Sequence, residues 1–137
     1  RINQGIQVKS GAVELLSHLK KKGVGTAVAT STRTATARDH LGKTGLVDFF
    51  DHIIGGDLVT NGKPDPEIYH KAANALGLNA ADCIVFEDSD PGVRAGVRSG
   101  AKVVQVPDIK PPSAETVKLG HIVASDLLEG ARLVGLI

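Results

Sequence analysis

Residues 84–92 read Ile84-Val85-Phe86-Glu87-Asp88-Ser89-Asp90-Pro91-Gly92, an apolar run followed by two adjacent carboxylates and a Pro-Gly pair that suits the start of a helix. If 84–86 is a buried strand, Glu87 and Asp88 lie at its carboxyl end, the edge where open α/β sheets bind ligands. Adjacent carboxylates there repel one another and lose solvation, so a compensating cation is expected. Mg²⁺, which prefers oxygen ligands, is the natural candidate. The alternative is that both carboxylates are solvated and only charge the first turn of the next helix.

The composition is that of a single, nearly neutral domain. The 137 residues include sixteen Lys and Arg and fifteen Asp and Glu, and the only aromatic residues are three Phe and one Tyr. Without a basic block, nucleic acid is a poor candidate for a partner. The sequence contains no signal peptide and no apolar run long enough to cross a bilayer. We therefore expect a cytoplasmic protein that does not associate with membranes.

Helix and strand patterns alternate along the chain, which predicts a mostly parallel sheet covered by helices. The predicted strands are 24–29, 52–54, 84–86, 102–106 and 121–123, and the predicted helices are 10–23, 31–43, 66–76, 91–99, 114–119 and one that follows Ser125. Ser10 and Ser125 are predicted caps of the first and last of these helices. The fold class is therefore α/β, a Rossmann-like, doubly wound parallel sheet in three layers.

The strand-to-helix turn at 30–33 is a candidate anion site. Thr30, Ser31 and Thr32 supply hydroxyl groups next to the N–H groups that begin the following helix, and Arg33 adds a positive charge. Such a turn binds phosphate readily. The alternative is ordinary N-capping by Ser31 or Thr32, which is compatible with anion binding, and a solvated Arg33.

A second candidate is Lys63, in the segment Gly62-Lys63-Pro64-Asp65-Pro66. The neighbouring Gly and Pro constrain the backbone, so the ammonium group is aimed at a fixed place, where it could neutralise a phosphoryl group or an attacking carboxylate. The alternative is a surface lysine in a turn. In a doubly wound sheet the carboxyl ends of all strands meet at one edge. Anion donors, a fixed cation and paired carboxylates at that edge are the groups that phosphoryl transfer needs.

The order of these motifs, with Gly92, Ala95 and Gly100-Ala101 after the carboxylates, resembles the haloacid dehalogenase-like hydrolases, and most of all their beta-phosphoglucomutase and sugar-phosphatase branch. The resemblance implies that the hydroxyl of Thr30 holds the transferring phosphoryl group and that Lys63 steadies the nucleophile and the phosphate. It also implies that residues 31–34 lie against the phosphate or substrate. Glu87 and Asp88 are then expected to bind Mg²⁺.

The same resemblance predicts parts that these residues do not contain. Family members begin with a strand ending in Asp-x-Asp-Gly-Thr, whose first Asp is the nucleophile, and carry a substrate-selecting cap domain before the helix that starts near Ser10. The sequence has no Asp-x-Asp-Gly, no methionine, and begins at Arg1. We therefore expect residues 1–137 to be the carboxyl-terminal part of one core domain, inactive alone. The missing strand would lie between 24–29 and 84–86, and its absence leaves both strands with unpaired edges. A lost N-terminal segment or self-association would complete the sheet, or the two edges would close onto each other.

The function that the sequence favours is a Mg²⁺-dependent phosphatase acting on a small phosphorylated metabolite. A phosphosugar mutase is the nearest alternative, because the cap and the absent acid–base residue would distinguish the two. A non-catalytic binding or regulatory module that keeps the fold is a further alternative, supported by the absent nucleophile. A nucleotide-binding α/β domain is disfavoured, since no Gly-x-Gly-x-x-Gly or Walker-type loop follows a strand.

Overall fold

The computed structural model describes residues 11–107, 116 and 118–137. The strands in this part are β1 Ala27–Ala29, β2 His52–Ile54, β3 Ile84–Glu87, β4 Lys102–Gln105 and β5 Ile122–Val123. The helices are α1 Ala12–Lys21, α2 Thr34–Lys43, α3 Glu67–Ala75, α4 Asp90–Ser99 and α5 Leu127–Leu133, with short 3-10 helices at Val47–Phe49, Gly56–Leu58 and Ala80–Asp82. None of these described helices has the length and apolar character needed to cross a bilayer.

The strands form two parallel sheets. β1 pairs with β2, and β4 lies between β3 and β5. The predicted parallel α/β organisation is confirmed, with one helix between β1 and β2, one between β2 and β3 and one between β3 and β4, as parallel connections require. Among the described residues β1 and β3 belong to different sheets, which agrees with the predicted gap between them, and their two edges do not pair with each other.

Alternating strand residues face two separate apolar cores. Val28, Phe86 and Val104 contribute to a core shared with α1, α2 and α5. Their neighbours Ala29, Val85 and Val103 contribute to a second core, shared with α3 and α4. Because successive side chains of a strand point to opposite faces, this division places helices on both sides of the strands. The three-layer arrangement predicted from the sequence is confirmed.

A cavity of about 210 Å³ lies where the two sheets face each other. Its walls include the edge strands β1 and β3 together with leucines of α1 and the buried face of α3. The lining is mainly apolar and includes Leu16, Ala27, Tyr69, Ala72 and Val85. This is the place at which the sequence predicts an additional strand.

Several predicted boundaries and caps differ from the structure. The first strand is shorter than predicted and begins at Ala27, with Val24 exposed before it. The last helix is capped by Asp126, whose carboxylate accepts from the N–H of Glu129, and Ser125 bonds to the Glu129 side chain instead. Gly11 is the N-cap of α1. The predicted cap Ser10 and half of the predicted helix 114–119 lie outside the described residues.

Candidate active site

The carboxyl end of β1 is a buried, hydrogen-bonded turn. The N–H of Thr30 donates to the carbonyl of Ile54 at 3.0 Å, which extends the pairing of β1 with β2 by one residue. Its hydroxyl oxygen accepts from the N–H of Thr32 at 3.1 Å, and Thr30 is fully buried. The Thr30 hydroxyl is therefore fixed at the strand end, as a phosphate-binding group needs to be.

Asp57, which follows the end of β2, caps helix α2 from outside that helix. Its Oδ1 accepts from the N–H of Thr34 at 2.6 Å and from the Thr34 hydroxyl at 2.8 Å. These hydrogen bonds, first from the backbone and then from the side chain of Thr34, hold the pKa of Asp57 below its ordinary value. The prediction that Ser31 or Thr32 caps α2 is wrong, because the cap residue is Arg33 and Asp57 supplies the acceptor.

Two glycines bring the loop after β2 against the turn after β1. The N–H of Gly56 donates to the carbonyl of Thr32 at 2.8 Å, and the N–H of Gly55 donates to the Thr34 hydroxyl at 3.0 Å. A Cβ atom on Gly55 would lie 2.3 Å from the Thr34 nitrogen, and one on Gly56 would lie 2.3 Å from the Ser31 carbonyl oxygen. This close approach requires glycine at both positions, and it fixes the backbone of the predicted phosphate turn.

The loop that carries Lys63 is anchored to the first turn of α3. The two carboxylate oxygens of Glu67 accept from the N–H groups of Thr60 and Asn61, at 2.9 and 3.0 Å. These backbone hydrogen bonds lower the pKa of Glu67. The Lys63–Pro64 peptide bond is cis. The predicted constraint on Lys63 is thus provided by Glu67 as well as by the flanking Gly and Pro.

The Lys63 ammonium joins the two sheets at their carboxyl edge. Its Nζ lies 3.2 Å from the carbonyl oxygen of Ala29, at the end of β1, and 2.5 Å from Oε2 of Glu87, at the end of β3. The Lys63 side chain is 6% exposed and that of Glu87 is 0% exposed. The Tyr69 hydroxyl donates to the same Glu87 oxygen, and the ammonium lies 5.2 Å from the centre of the Tyr69 ring.

Asp88 lies beside this cluster, at the first position after β3. It is half-buried, and its N–H donates to Oε1 of Glu87 at 3.1 Å. Residues 11–107, 116 and 118–137 contain no group of three or more His, Cys, Asp or Glu placed to hold a metal ion. Mg²⁺, however, is commonly bound by one or two protein carboxylates together with substrate oxygens and water. Because such a site needs so few protein ligands, the binding of Mg²⁺ by Asp88 stays a prediction.

A further polar chain lies at the same edge, on the strand next to β3. Gln105 is in register with Glu87 and is buried. Its Nε2 donates to the Asp90 carboxylate at 3.3 Å, and its Oε1 is 2.7 Å from Nε2 of His121. Burial lowers the pKa of His121, which favours a neutral imidazole that donates to Gln105. These contacts tie the start of α4 to β4 and to the residue before β5.

The structure therefore brings three of the predicted turns together. Lys63 contacts Glu87 and the residue before Thr30, and Asp88 is bonded to Glu87 through its backbone. Ser31 and Arg33 are exposed on the turn before α2, while Thr32 is half-buried. The functional roles of all these residues stay predictions.

Sequence reasoning did not identify Tyr69 or Asp57. The buried residues of α3 are Ile68, Tyr69, Ala72 and Ala73, so Tyr69 belongs to the face of the helix that packs on the strands. Tyr69 is the only tyrosine of the chain, and this is the one signal that could have singled it out. Asp57 follows a predicted strand and a Gly-Gly pair, so its position at the functional edge was available from the pattern.

Comparison with known proteins identifies the family to which the chain belongs. The model of a hydrolase family, the haloacid dehalogenase-like hydrolases, matches residues 1–100. The chain belongs to this family. It falls in the sugar-phosphatase-like branch of these hydrolases, as relatives and structural neighbours show.

Two curated relatives carry phosphatase names. The bifunctional riboflavin kinase/FMN phosphatase of Arabidopsis thaliana is 42% identical over 100 residues, covering 72% of this chain and 26% of that protein. Hexitol phosphatase A of Escherichia coli is 37% identical over 103 residues, covering 75% of this chain and 47% of that protein. The chain thus spans less than half the length of these relatives.

The fold is shared with solved structures. A Thermotoga maritima protein provisionally called a beta-phosphoglucomutase superposes with a TM-score of 0.83 at 30% identity, over 95% of this chain and 61% of that one. CbbY from Rhodobacter sphaeroides, solved in complex with phosphate, has a TM-score of 0.75 at 28% identity, over 92% of this chain and 56% of that one.

Proposed function

We propose that this chain is the phosphate-handling part of a Mg²⁺-dependent phosphatase that acts on a small phosphorylated metabolite. The observation that carries the proposal is the Lys63 ammonium, held between the end of β1 and the end of β3. Phosphoryl transfer requires positioning and charge neutralisation more than covalent chemistry from the protein. A buried, fixed ammonium at the carboxyl edge supplies both, since it needs no reorganisation when negative charge develops.

The other predicted residues have complementary roles in this proposal. The Thr30 hydroxyl, fixed by its buried position, binds a phosphoryl oxygen, and Ser31, Thr32 and Arg33 contact the remaining oxygens or the substrate. Asp88 holds Mg²⁺, which would neutralise charge on the phosphoryl oxygens when bound. Relatives named as phosphatases of FMN, hexitols and phosphorylated carbohydrates support a small metabolite as substrate.

We also propose that the reaction needs a carboxylate nucleophile on a further strand placed between β1 and β3. No Asp-x-Asp-Gly-Thr sequence occurs in the 137 residues. A segment of a longer protein or a second molecule would supply this strand, and its carboxyl end would then lie beside Lys63. Without the nucleophile the reaction loses its covalent route, so the 137 residues are inactive alone. The mutase alternative and the cytoplasmic location stay predictions from the sequence.

Binding of inorganic phosphate to the 137-residue chain tests the site without requiring turnover. With Mg²⁺ present, phosphate titrated into the chain and followed by ³¹P NMR is expected to bind at least tenfold more weakly after Lys63→Met. Lys43→Met is the matched control, because Lys43 is an exposed lysine on α2, and it should leave the affinity unchanged. Equal affinity for the unchanged chain and the Lys63 variant would contradict the proposed site.

Two further measurements complete this test. If Lys63→Met does not fold, the double variant Lys63→Met/Glu87→Gln removes both buried charges and serves in its place.

Hydrolysis of p-nitrophenyl phosphate by the chain alone should be undetectable. Turnover that persists through purification and is abolished by Lys63→Ala would show that the nucleophile is not missing.

A further inference from the structure

We propose that Tyr69 is a positioning residue that holds Glu87, and that Glu87 is the anchor of Lys63 and does not bind the metal ion. The proposal rests on the proposed function, since it assigns the roles of two carboxylates in that site. It separates Glu87 from Asp88, which the sequence pattern treats as one metal-binding pair. Asp88 then becomes the carboxylate that faces Mg²⁺.

The first observation is the enclosure of the Glu87 carboxylate. Oε2 accepts from the Lys63 ammonium and from the Tyr69 hydroxyl, and Oε1 accepts from the N–H of Asp88. A carboxylate offers about four lone-pair positions, so protein donors occupy most of them. Gly92 closes another side, because a Cβ atom on it would lie 2.1 Å from Cδ of Glu87. The Glu87 side chain, at 0% exposure, is caged by protein groups.

The second observation is the charge next to Glu87. The Lys63 ammonium lies 2.5 Å from Oε2, close enough for a direct charge-assisted hydrogen bond. A metal ion on the same oxygen would lie against this ammonium and be repelled by it. The Lys63 charge is compensated by Glu87 and further stabilised by the Tyr69 ring. The cation that Glu87 needs is therefore Lys63.

The third observation is that helix α3 holds both Lys63 and Tyr69 in place. Glu67, at the start of α3, holds the loop that carries Lys63 through the N–H groups of Thr60 and Asn61. Tyr69 lies two residues further along the same helix and is 5% exposed. One helix thus fixes both the backbone that leads to the ammonium and the hydroxyl that orients its counter-ion. Tyr69 acts on Lys63 through Glu87, which makes its role one of positioning.

The experiment is NMR of the lysine ammonium groups in ¹⁵N-labelled chain. The Lys63 Nζ signal is identified by its loss in Lys63→Met. Tyr69→Phe and Glu87→Gln are each expected to accelerate hydrogen exchange of this ammonium at least tenfold, or to remove its signal. Asp88→Asn should leave it within twofold. Backbone amide spectra verify folding, and the two conservative variants provide independent tests. An unchanged Lys63 signal in Tyr69→Phe and Glu87→Gln would overturn the proposal that Glu87, held by Tyr69, anchors Lys63.

A metal titration separates the two carboxylates. Mn²⁺ is the probe, and its binding is followed by the relaxation of water protons. Asp88→Asn is expected to weaken Mn²⁺ binding more than tenfold, whereas Glu87→Gln should change it less than threefold. Equal weakening by both variants would overturn the assignment of Glu87. Absence of Mn²⁺ binding in the unchanged chain would contradict the magnesium part of the proposed function. The Lys63 ammonium signal would then still show whether Glu87 and Tyr69 hold Lys63.

Discussion

Two lysine–carboxylate pairs of this molecule have the same chemistry and opposite surroundings. Lys63 and Glu87, separated by 2.5 Å, connect the loop before α3 to the end of β3, and their side chains are 6% and 0% exposed. Lys43 and Asp39, separated by 3.2 Å, lie one turn apart on the outer face of α2 and are 74% and 63% exposed. Water screens the second pair and not the first. Burial, more than the distance between the charges, therefore separates a site that fixes geometry from a surface contact.

The largest expected effect is the loss of the buried cation. Lys63→Met leaves the Glu87 carboxylate enclosed without its counter-ion, and breaking a buried pair in this way costs about 3–5 kcal/mol of the free energy of unfolding. Urea unfolding of the two chains measures the difference. Lys43→Met, the matched change on the surface, should alter the same free energy by at most about 0.5 kcal/mol.

The double variant Lys63→Met/Glu87→Gln sharpens this result. With both charges removed, no buried carboxylate is left unpaired, and the loss of stability should be clearly smaller than the sum of the two single losses. Additive losses would show that Lys63 and Glu87 do not act as a pair, and the contrast with the surface pair would then fail.

A second test replaces one glycine beside the buried pair and one beside the surface pair. Gly92 packs against the Glu87 carboxylate, and an added methyl group would lie 2.1 Å from Cδ of a side chain that three donors hold in place. Gly92→Ala should therefore destabilise the chain by about 1–3 kcal/mol.

Gly42, one residue before Lys43 in α2, has no atom within 4 Å of an added Cβ. Gly42→Ala should stabilise by up to about 0.5–1 kcal/mol, because alanine loses less conformational freedom in a helix. Thermal unfolding measures the sign of the change in stability for both variants. A Gly92→Ala variant as stable as the unchanged chain would mean that the Glu87 carboxylate can move aside.

Local sequence predicted well those elements whose ends are marked by local chemistry. Strand β2, closed by Gly55-Gly56, has the predicted bounds, and β3 begins where predicted and extends by one residue. The edge to which Lys63, Glu87 and Asp88 belong follows from the rule that parallel strands end together. These features depend on neighbours within a few residues or on the topology itself.

Contacts between distant residues explain what the sequence did not predict. Tyr69 reaches Glu87 across 18 residues, and Asp57 caps Thr34 across 23, so no local pattern records either contact. The predicted cap residues Ser31 and Thr32 have suitable side chains, but Asp57 already provides the acceptor for α2. The separation of β1 from β3 among the described residues is, in contrast, the gap that the family resemblance predicts.

A smaller effect is expected at Asp57, which joins the two regions by capping α2 from the loop after β2. Its folded pKa lies below the ordinary 3.8, so its contribution to stability is fully present above that value and is lost as the pH falls through the folded pKa. Asp57→Asn should be less stable than the unchanged chain at pH 7, and the difference should shrink as the pH falls below 3.8 and vanish below the folded pKa. Urea unfolding between pH 2 and 7 measures this difference. A constant difference across this range would exclude the charged cap.

The smallest expected effect belongs to the surface pair itself. Pairs of opposite charge at i and i+4 on a helix contribute about 0.3–0.5 kcal/mol, and salt weakens them because both charges remain in water. The coupling between Lys43→Met and Asp39→Asn, measured by a double-mutant cycle, should be near this value in dilute buffer and indistinguishable from zero in about 1 M salt. The corresponding coupling between Lys63 and Glu87 should persist at the same salt concentration, since solvent does not reach the pair. Equal salt sensitivity of the two couplings would place Lys63 in contact with water and remove the basis for a fixed cation at the carboxyl edge.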